Sequence, residues 1–209
     1  MPKIVDHGAY RKHLLAHCFH LFAHHGYEVL TMRQIAEELG VSTGTLYHYF
    51  PTKEALFQQL VEDRIQMAIN EVTAAVHPEA PLRERLVALC QLIARYEEGF
   101  WNHFLIMIDY YQHRDRYGEA AGKILRDEGE RYHQTVSALL GFPDPRLSLL
   151  FHCQINGLLT ARMLHGVSTP FMEQAQLFTD LIMVYLQKHG RGGEELAVSS
   201  PQAHRENIE

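Results

Sequence analysis

Residues 31–53, TMRQIAEELGVSTGTLYHYFPTK, leave the chain little conformational choice. Thr31 can cap a helix start, and Gln34, three positions on, can reach back to complete a capping box. Ile35, Ala36 and Leu39 then recur at helical spacing on one face, while Glu37 and Glu38 point away from it. Gly40 can take the left-handed conformation that ends a helix, Val41 supplies an apolar plug, and Ser42 can cap a second helix at once. The spacing predicts two short helices joined by a three-residue turn, with Pro51 stopping the second and Thr52 capping a third.

The second of these helices, Thr43 to about Tyr49, has one clear inward residue, Leu46, with Phe50 anchoring its end. A helix this short is not stable alone, so neighbours must hold it while the rest of its surface is displayed. That surface carries Thr43, Gly44, Thr45, Tyr47, His48 and Tyr49: short hydroxyls, bare backbone and rings with polar tips. Small hydroxylic residues let a backbone approach phosphates and base edges, and threonine methyls can meet thymine methyls in a major groove. Lys53, at the start of the following helix, sets an ammonium beside unpaired amides that can hold a phosphate. The pattern reads as a DNA-binding helix-turn-helix.

Taken as a set, Gly26-Tyr27, Thr31, Ile35-Ala36, Gly40-Val41-Ser42, Gly44, Leu46-Tyr47, Phe50 and Lys53-Glu54 resemble the N-terminal domain of the TetR family of bacterial transcriptional repressors. The resemblance covers roughly residues 10 to 60, under a third of the chain. It implies that Thr43, Gly44, Thr45, Tyr47 and His48 meet bases or adjacent phosphates, and that Thr31, Tyr49 and Lys53 clamp the backbone. Arg33, near a helix start, is a further phosphate candidate, and Ser42 serves as a cap or a phosphate contact.

The formal net charge of −6 argues against indiscriminate coating of nucleic acid. Within the first 65 residues six Lys and Arg face seven Asp and Glu, so any DNA affinity must come from where the cations stand. Cys18, Cys90 and Cys153 each sit in an apolar helical pattern, which suggests buried, reduced thiols in a cytoplasmic protein. No apolar region follows Lys3 and no apolar run approaches the length of a span, so neither a signal peptide nor a membrane helix is expected. No H-E-x-x-H, Gly-rich phosphate loop or G-x-S-x-G occurs, and no enzyme activity, catalytic residue, cofactor or metal is expected.

The remaining chain reads as helices alone. Residues 1–8 form a polar arm, then Ala9 to His25 a helix with Leu14, Leu15, Cys18, Leu21 and Phe22 inward. Its His13, His17, His20 and His24 share one sector, a geometry that allows a metal-responsive alternative. From Lys53 to about Val72 a long helix links the head to a body. Helices follow from Pro81 to Glu98, from a joint at Gly99, and beyond a polar break at 115–118. Phe100, Phe104, Met107, Ile108 and Tyr111 share a face there, widened by Trp101. That aromatic concentration suits a small-molecule pocket as well as plain core. Asp144-Pro145 opens a helix to about His165 that contains Gln154 and Asn156, read as buried hydrogen-bonding residues. Thr169-Pro170 opens the last helix.

Each of the last two helices carries two apolar stripes, one for its own core and one for a second copy across a four-helix interface. The resemblance implies the same dimer contact, at about 144–165 and 170–189. The expectation is an all-α chain of about nine helices: a three-helix head at 1–52, a ligand-binding and dimerising body at 53–189, and a disordered tail at 190–209. The function expected is a homodimeric transcriptional regulator, most simply a repressor. It would bind a palindromic double-stranded DNA operator and be released by a small-molecule effector bound near Trp101, Phe104, Met107, Ile108, Tyr111 and Gln154. The rival from another class is an all-helical enzyme using the His, Asp and Cys residues, and a second alternative is a helix-turn-helix protein acting through protein partners.

Overall fold

In a computed structural model, described over residues 6–112, 114–142, 144–166 and 168–189, the chain is all-α, with no strand among the described residues. Among these residues nine helices follow in order: α1 (His7–His25), α2 (Met32–Glu38), α3 (Thr43–Tyr49), α4 (Lys53–Ala75), α5 (Leu82–Arg95), α6 (Glu97–Gln112), α7 (Arg114–Leu140), α8 (Pro145–His165) and α9 (Phe171–His189). The stretch 190–209, expected to be a disordered tail, lies outside the described residues.

The head follows its caps. α1 begins earlier than its apolar spacing suggests because the Asp6 carboxylate accepts from the amides of Gly8 and Ala9 at 2.9 and 3.1 Å. Leu14, Leu15, Cys18 and Phe22 are buried as expected; Phe19 joins them and Leu21 is only half-buried. The capping box of α2 is closed in both directions, Gln34 N–H donating to Thr31 Oγ1 at 3.3 Å and Thr31 N–H to Gln34 Oε1 at 2.9 Å. Gly40 lies at φ +66° and ends α2, a conformation glycine adopts without steric cost. Ser42 Oγ accepts from the Thr45 amide at 3.0 Å and starts α3.

Two apolar clusters fill the molecule. One joins α1 to α4 and takes in Ile106 and Tyr110 from α6 and Leu125 from α7. The other gathers α5, α7, α8 and α9 around Val72 and Val76. The buried side chains therefore do not part at residue 52, since α4 gives Leu56, Phe57, Leu60, Val61 and Ile65 to the first cluster and Val72 to the second.

The body differs from its sequence reading at five points. The joint between α5 and α6 falls at Tyr96, so Gly99 stands inside α6. Residues 115–118 are helical within α7, since that run has no proline and one glycine costs a helix only about 1 kcal/mol. On α6 the buried positions are Ile106 and Tyr110, a stripe rotated from the expected Phe104, Ile108 and Tyr111. On α8 the core face is Leu147, Phe151, Ile155, Leu158 and Leu159, which leaves Leu150 exposed against expectation. The same rotation turns Gln154, Asn156 and Cys153 outward, correcting the buried roles read for all three. Cys18 and Cys90 are buried as expected, and burial pushes both thiols up to about 12.

Two half-buried imidazoles lie in the body. Burial pulls His103 of α6 down to about 4, with the Arg64 guanidinium adding to the shift. Burial likewise pulls His152 of α8 to about 4, assisted by His133. His133 crosses the His152 ring edgewise at 4.0 Å between centroids, and His152 Nε2 has no hydrogen-bond partner among the described residues.

An unfolded chain protonates these imidazoles near pH 6.5 and the folded chain near pH 4, so the unfolded state binds more protons between those values. Stability should therefore decline as pH falls through that window. Calorimetric melting across it should show His152→Gln reducing the linked uptake on unfolding by about one proton. Removing the α2 cap with Thr31→Ala should lower unfolding free energy by about 1 kcal/mol in urea titration.

Candidate nucleic-acid interface

α3 is held from behind and displayed in front. Leu46 and Phe50 are fully buried in the head cluster, and Tyr49 is buried beside them. Burying one such side chain stabilises by roughly 1.5–3 kcal/mol, which a seven-residue helix needs from outside itself. Thr43, Gly44 and His48 are exposed, and Tyr47 retains 49% of its surface in spite of its large ring. By helical spacing these four lie on one side of α3. Thr31, Arg33 and Ser42 are exposed as well, while Thr45 is half-buried with its hydroxyl 2.7 Å from that of Ser42. Much of the expected reading surface is thus presented together.

Two expected backbone clamps are arranged differently. The Tyr49 ring points into the head, its hydroxyl sharing a 2.7 Å hydrogen bond with His7 Nδ1 and its face 5.5 Å from the Tyr10 ring. The position is set by helical geometry, since Tyr49 falls on the Leu46 side of α3. The Lys53 ammonium donates to the carbonyls of Leu30 at 2.8 Å and Glu28 at 3.4 Å, and sits 4.2 Å over the Tyr27 ring. Burial pulls Lys53 below the usual lysine range, opposed by the carboxylates of Glu28, Glu54 and Asp109. As placed, Lys53 ties the turn after α1 to the start of α4.

Three residues support this interface in ways the sequence does not anticipate, Asp109 reading there only as a rim residue of the aromatic face of α6. His7 falls in the stretch read as an arm, yet its ring stands 6.3 Å from His48 as well as bonding Tyr49. Tyr10 packs on the same ring, and no spacing rule flags either. Asp109 accepts from the Tyr27 amide at 2.7 Å and so joins α6 to the head. Its signal in sequence was a single carboxylate within the apolar run FLIMIDYY. Gly26 makes that approach possible: it lies at φ +81°, and a Cβ there would stand 3.2 Å from Asp109 Oδ1.

The expected effector residues are dispersed. Trp101, Phe104 and Met107 are half-buried, with the Trp101 and Phe104 rings 5.6 Å apart. Ile108 and Gln154 are exposed and Tyr111 retains 67% of its surface, so these three do not face a shared interior. An open recess of about 590 Å³ lies elsewhere, between α1, α4 and α7, and is lined by charged residues including Arg11, Lys12, Glu62 and Asp63. On α1, the His13 and His17 rings meet edgewise at 4.5 Å. Among the described residues no group of three or more His, Cys, Asp or Glu is placed to hold a metal ion. No described helix is long and apolar enough to cross a membrane.

Comparison with known proteins agrees with this geometry. Residues 14–60 match bacterial regulatory proteins of the tetR family. The chain is 32% identical over 101 residues to the HTH-type transcriptional regulator PksA of Bacillus subtilis, covering 47% of this chain and 48% of that protein. It thus spans about half the length of that curated relative. The fold is shared over most of the chain with FadR from Bacillus subtilis, solved in complex with stearoyl-CoA, at a TM-score of 0.67, 16% identity, and coverage of 81% of this chain and 96% of that one. PfmR from Thermus thermophilus, a TetR family transcriptional regulator, superposes at a TM-score of 0.59 with 21% identity, covering 81% and 96% of the two chains. Residues 14–60 thus form a helix-turn-helix domain similar to that of the tetR family of bacterial regulatory proteins.

Proposed function

We propose that this protein is a homodimeric transcriptional regulator, and specifically a repressor, that binds a palindromic operator and is released by a small-molecule effector. The observation that carries the reading is α3 itself. A seven-residue helix with Leu46 and Tyr49 buried and Thr43, Gly44, Tyr47 and His48 displayed has no evident purpose except to present that surface. Threonine methyls, a bare glycine backbone and polar-tipped rings suit a major groove. Residues 1–52 then act as the DNA-binding head and residues 53–189 as the body that takes the effector and dimerises, with α4 common to both.

Thr31, Arg33, Ser42 and Lys53 are the phosphate-side candidates, and Thr45 and Tyr49 support the reading helix from its edges. For Lys53 the contact requires its ammonium to leave the Leu30 carbonyl or to share it. The match of residues 14–60 to bacterial regulatory proteins of the tetR family supports the regulator reading, and the stearoyl-CoA complex of FadR supports a body that takes small molecules. Trp101, Phe104 and Met107 are the apolar residues of the effector region in this proposal.

The dimer reading rests on a second observation. Leu149, Leu164, Leu177, Leu181 and Val184 of α8 and α9 are all exposed, Leu181 retaining 59% of its surface. A row of large apolar side chains on the last two helices is costly to leave in water and suits an isologous contact between two copies. Two reader helices held at a fixed separation can then match half-sites about one helical turn of DNA apart or a multiple of that.

Binding to duplex DNA from the promoter beside its own gene should test both parts. Tyr47→Ala should weaken specific binding by about 1–3 kcal/mol, roughly 5- to 150-fold, and leave α-helical content unchanged. Equal affinity of Tyr47→Ala and the parent across a salt series would remove α3 as the reader. Leu181→Arg should give a monomer by sedimentation equilibrium and lose most operator affinity; a dimer of unchanged affinity would place the interface elsewhere.

A further inference from the structure

Arg64 of α4 reaches into the junction where α1, α4 and α6 meet. Its guanidinium carbon lies 4.2 Å over the ring of Phe19 in α1, and Nη2 comes within 4.0 Å of where a Cβ on Gly99 of α6 would stand. Nothing on α6 fills the space at Gly99. Among the described residues Arg64 forms no ion pair and no hydrogen bond; its neighbours Glu62 and Asp63 line the recess between α1, α4 and α7, and the acids of α6 are turned to other tasks or to solvent. Glu97 is held by Arg162 at 2.6 Å, Glu98 is exposed, and Asp109 receives the Tyr27 amide.

The second basic group at this junction is His103. It stands one turn beyond Gly99 on α6 and feels the positive charge of Arg64, which together with burial keeps its imidazole neutral. A guanidinium from α4 and an imidazole from α6 thus stand near enough for the charge of one to act on the other. A half-buried cation without a counter-charge is unfavourable, and an incoming anion would relieve it while gaining charge-assisted hydrogen bonds from the guanidinium fork.

The surroundings add an apolar requirement. Phe100, His103 and Met107 fall at i, i+3 and i+7 on one strip of α6. Phe100 packs against the body cluster and Met107 against the head cluster, so His103 marks the seam between them. Phe104 flanks the same strip.

From this geometry we infer that Arg64 and His103 form the head-group site for an amphipathic organic acid, its carboxylate between α4 and α6 and its hydrocarbon part along Phe100, Phe104 and Met107. This rests on the effector-responsive reading and assigns the effector's charge and place.

The test uses the full chain and straight-chain carboxylates from acetate to decanoate, each against the primary alcohol of equal length. Binding is read by thermal shift and by emission of Trp101, the one tryptophan of the chain and two residues from His103. At least one carboxylate should bind saturably and its alcohol at least 10-fold more weakly. Arg64→Gln should lose at least 10-fold in carboxylate affinity, and Arg64→Lys should retain most of it. Equal binding of acid and alcohol, absence of saturable binding by any carboxylate, or full affinity in Arg64→Gln with parental circular dichroism overturns the proposal. The acid-to-alcohol comparison needs no variant, so it decides even where Arg64→Gln does not fold. Operator binding by the ligand-free parent is measured separately: DNA binding without carboxylate binding removes this site and leaves the regulator reading, while the converse result removes the regulator reading alone.

Discussion

The packing of α4 into two cores at once is the constraint on which the other features depend. Its N-terminal half closes the head cluster through Leu56, Phe57 and Leu60, and Val72 closes the body cluster. A helix of 23 residues is about 35 Å long and stiff along its axis. Any tilt at the body end therefore moves the segment that begins beside the reading helix. The head cannot be treated as a separate bead on a linker, because Ile106, Tyr110 and Leu125 from the body's own helices complete its core.

A second tie crosses the same boundary. The Asp109 carboxylate reaches the Tyr27 amide just after α1 ends, and the Lys53 ammonium reaches the Leu30 carbonyl in the same turn. Both are charge-assisted hydrogen bonds to backbone groups, a stronger class than neutral pairs. Together they fix the loop between α1 and α2, so the orientation of α2 and α3 is set from the body side as well as by packing. Lys53 also packs over Tyr27, and the two carbonyls and this ring engage its ammonium even though burial lowers its proton affinity. The head accordingly has few free positive charges to offer a polyanion. In the dimer proposed above, affinity depends on presenting two copies at a fixed spacing, and the exposed apolar faces of α8 and α9 supply the means.

The head was largely legible from its residues. Caps and turns are local: Thr31 with Gln34, Ser42 with Thr45 and the positive φ of Gly40 depend on atoms within a few positions of one another. The burial of Leu46 and Phe50 follows from period alone. The body was legible as helices but not as faces. α6 is apolar on more than one side, so periodicity could not say whether Ile106 and Tyr110 or Phe104, Ile108 and Tyr111 would turn inward. Packing against α1 chose the former. The polar residues Gln154 and Asn156 were read as buried because they interrupt an apolar helix, and the rotation of α8 against α5 and α9 placed them outside.

What the sequence determined by itself is therefore the helix-turn-helix: two short capped helices, their turn, and the residues displayed on α3. What only the tertiary structure decided is how that motif is held, through His7 on Tyr49, Asp109 on the Tyr27 amide and Arg64 over Phe19, pairs separated by 42, 82 and 45 positions. The reason is range. Hydrogen bonds within a turn or cap are fixed by local chain geometry, whereas a contact between distant helices depends on which faces they bury, and that is settled when the cores pack.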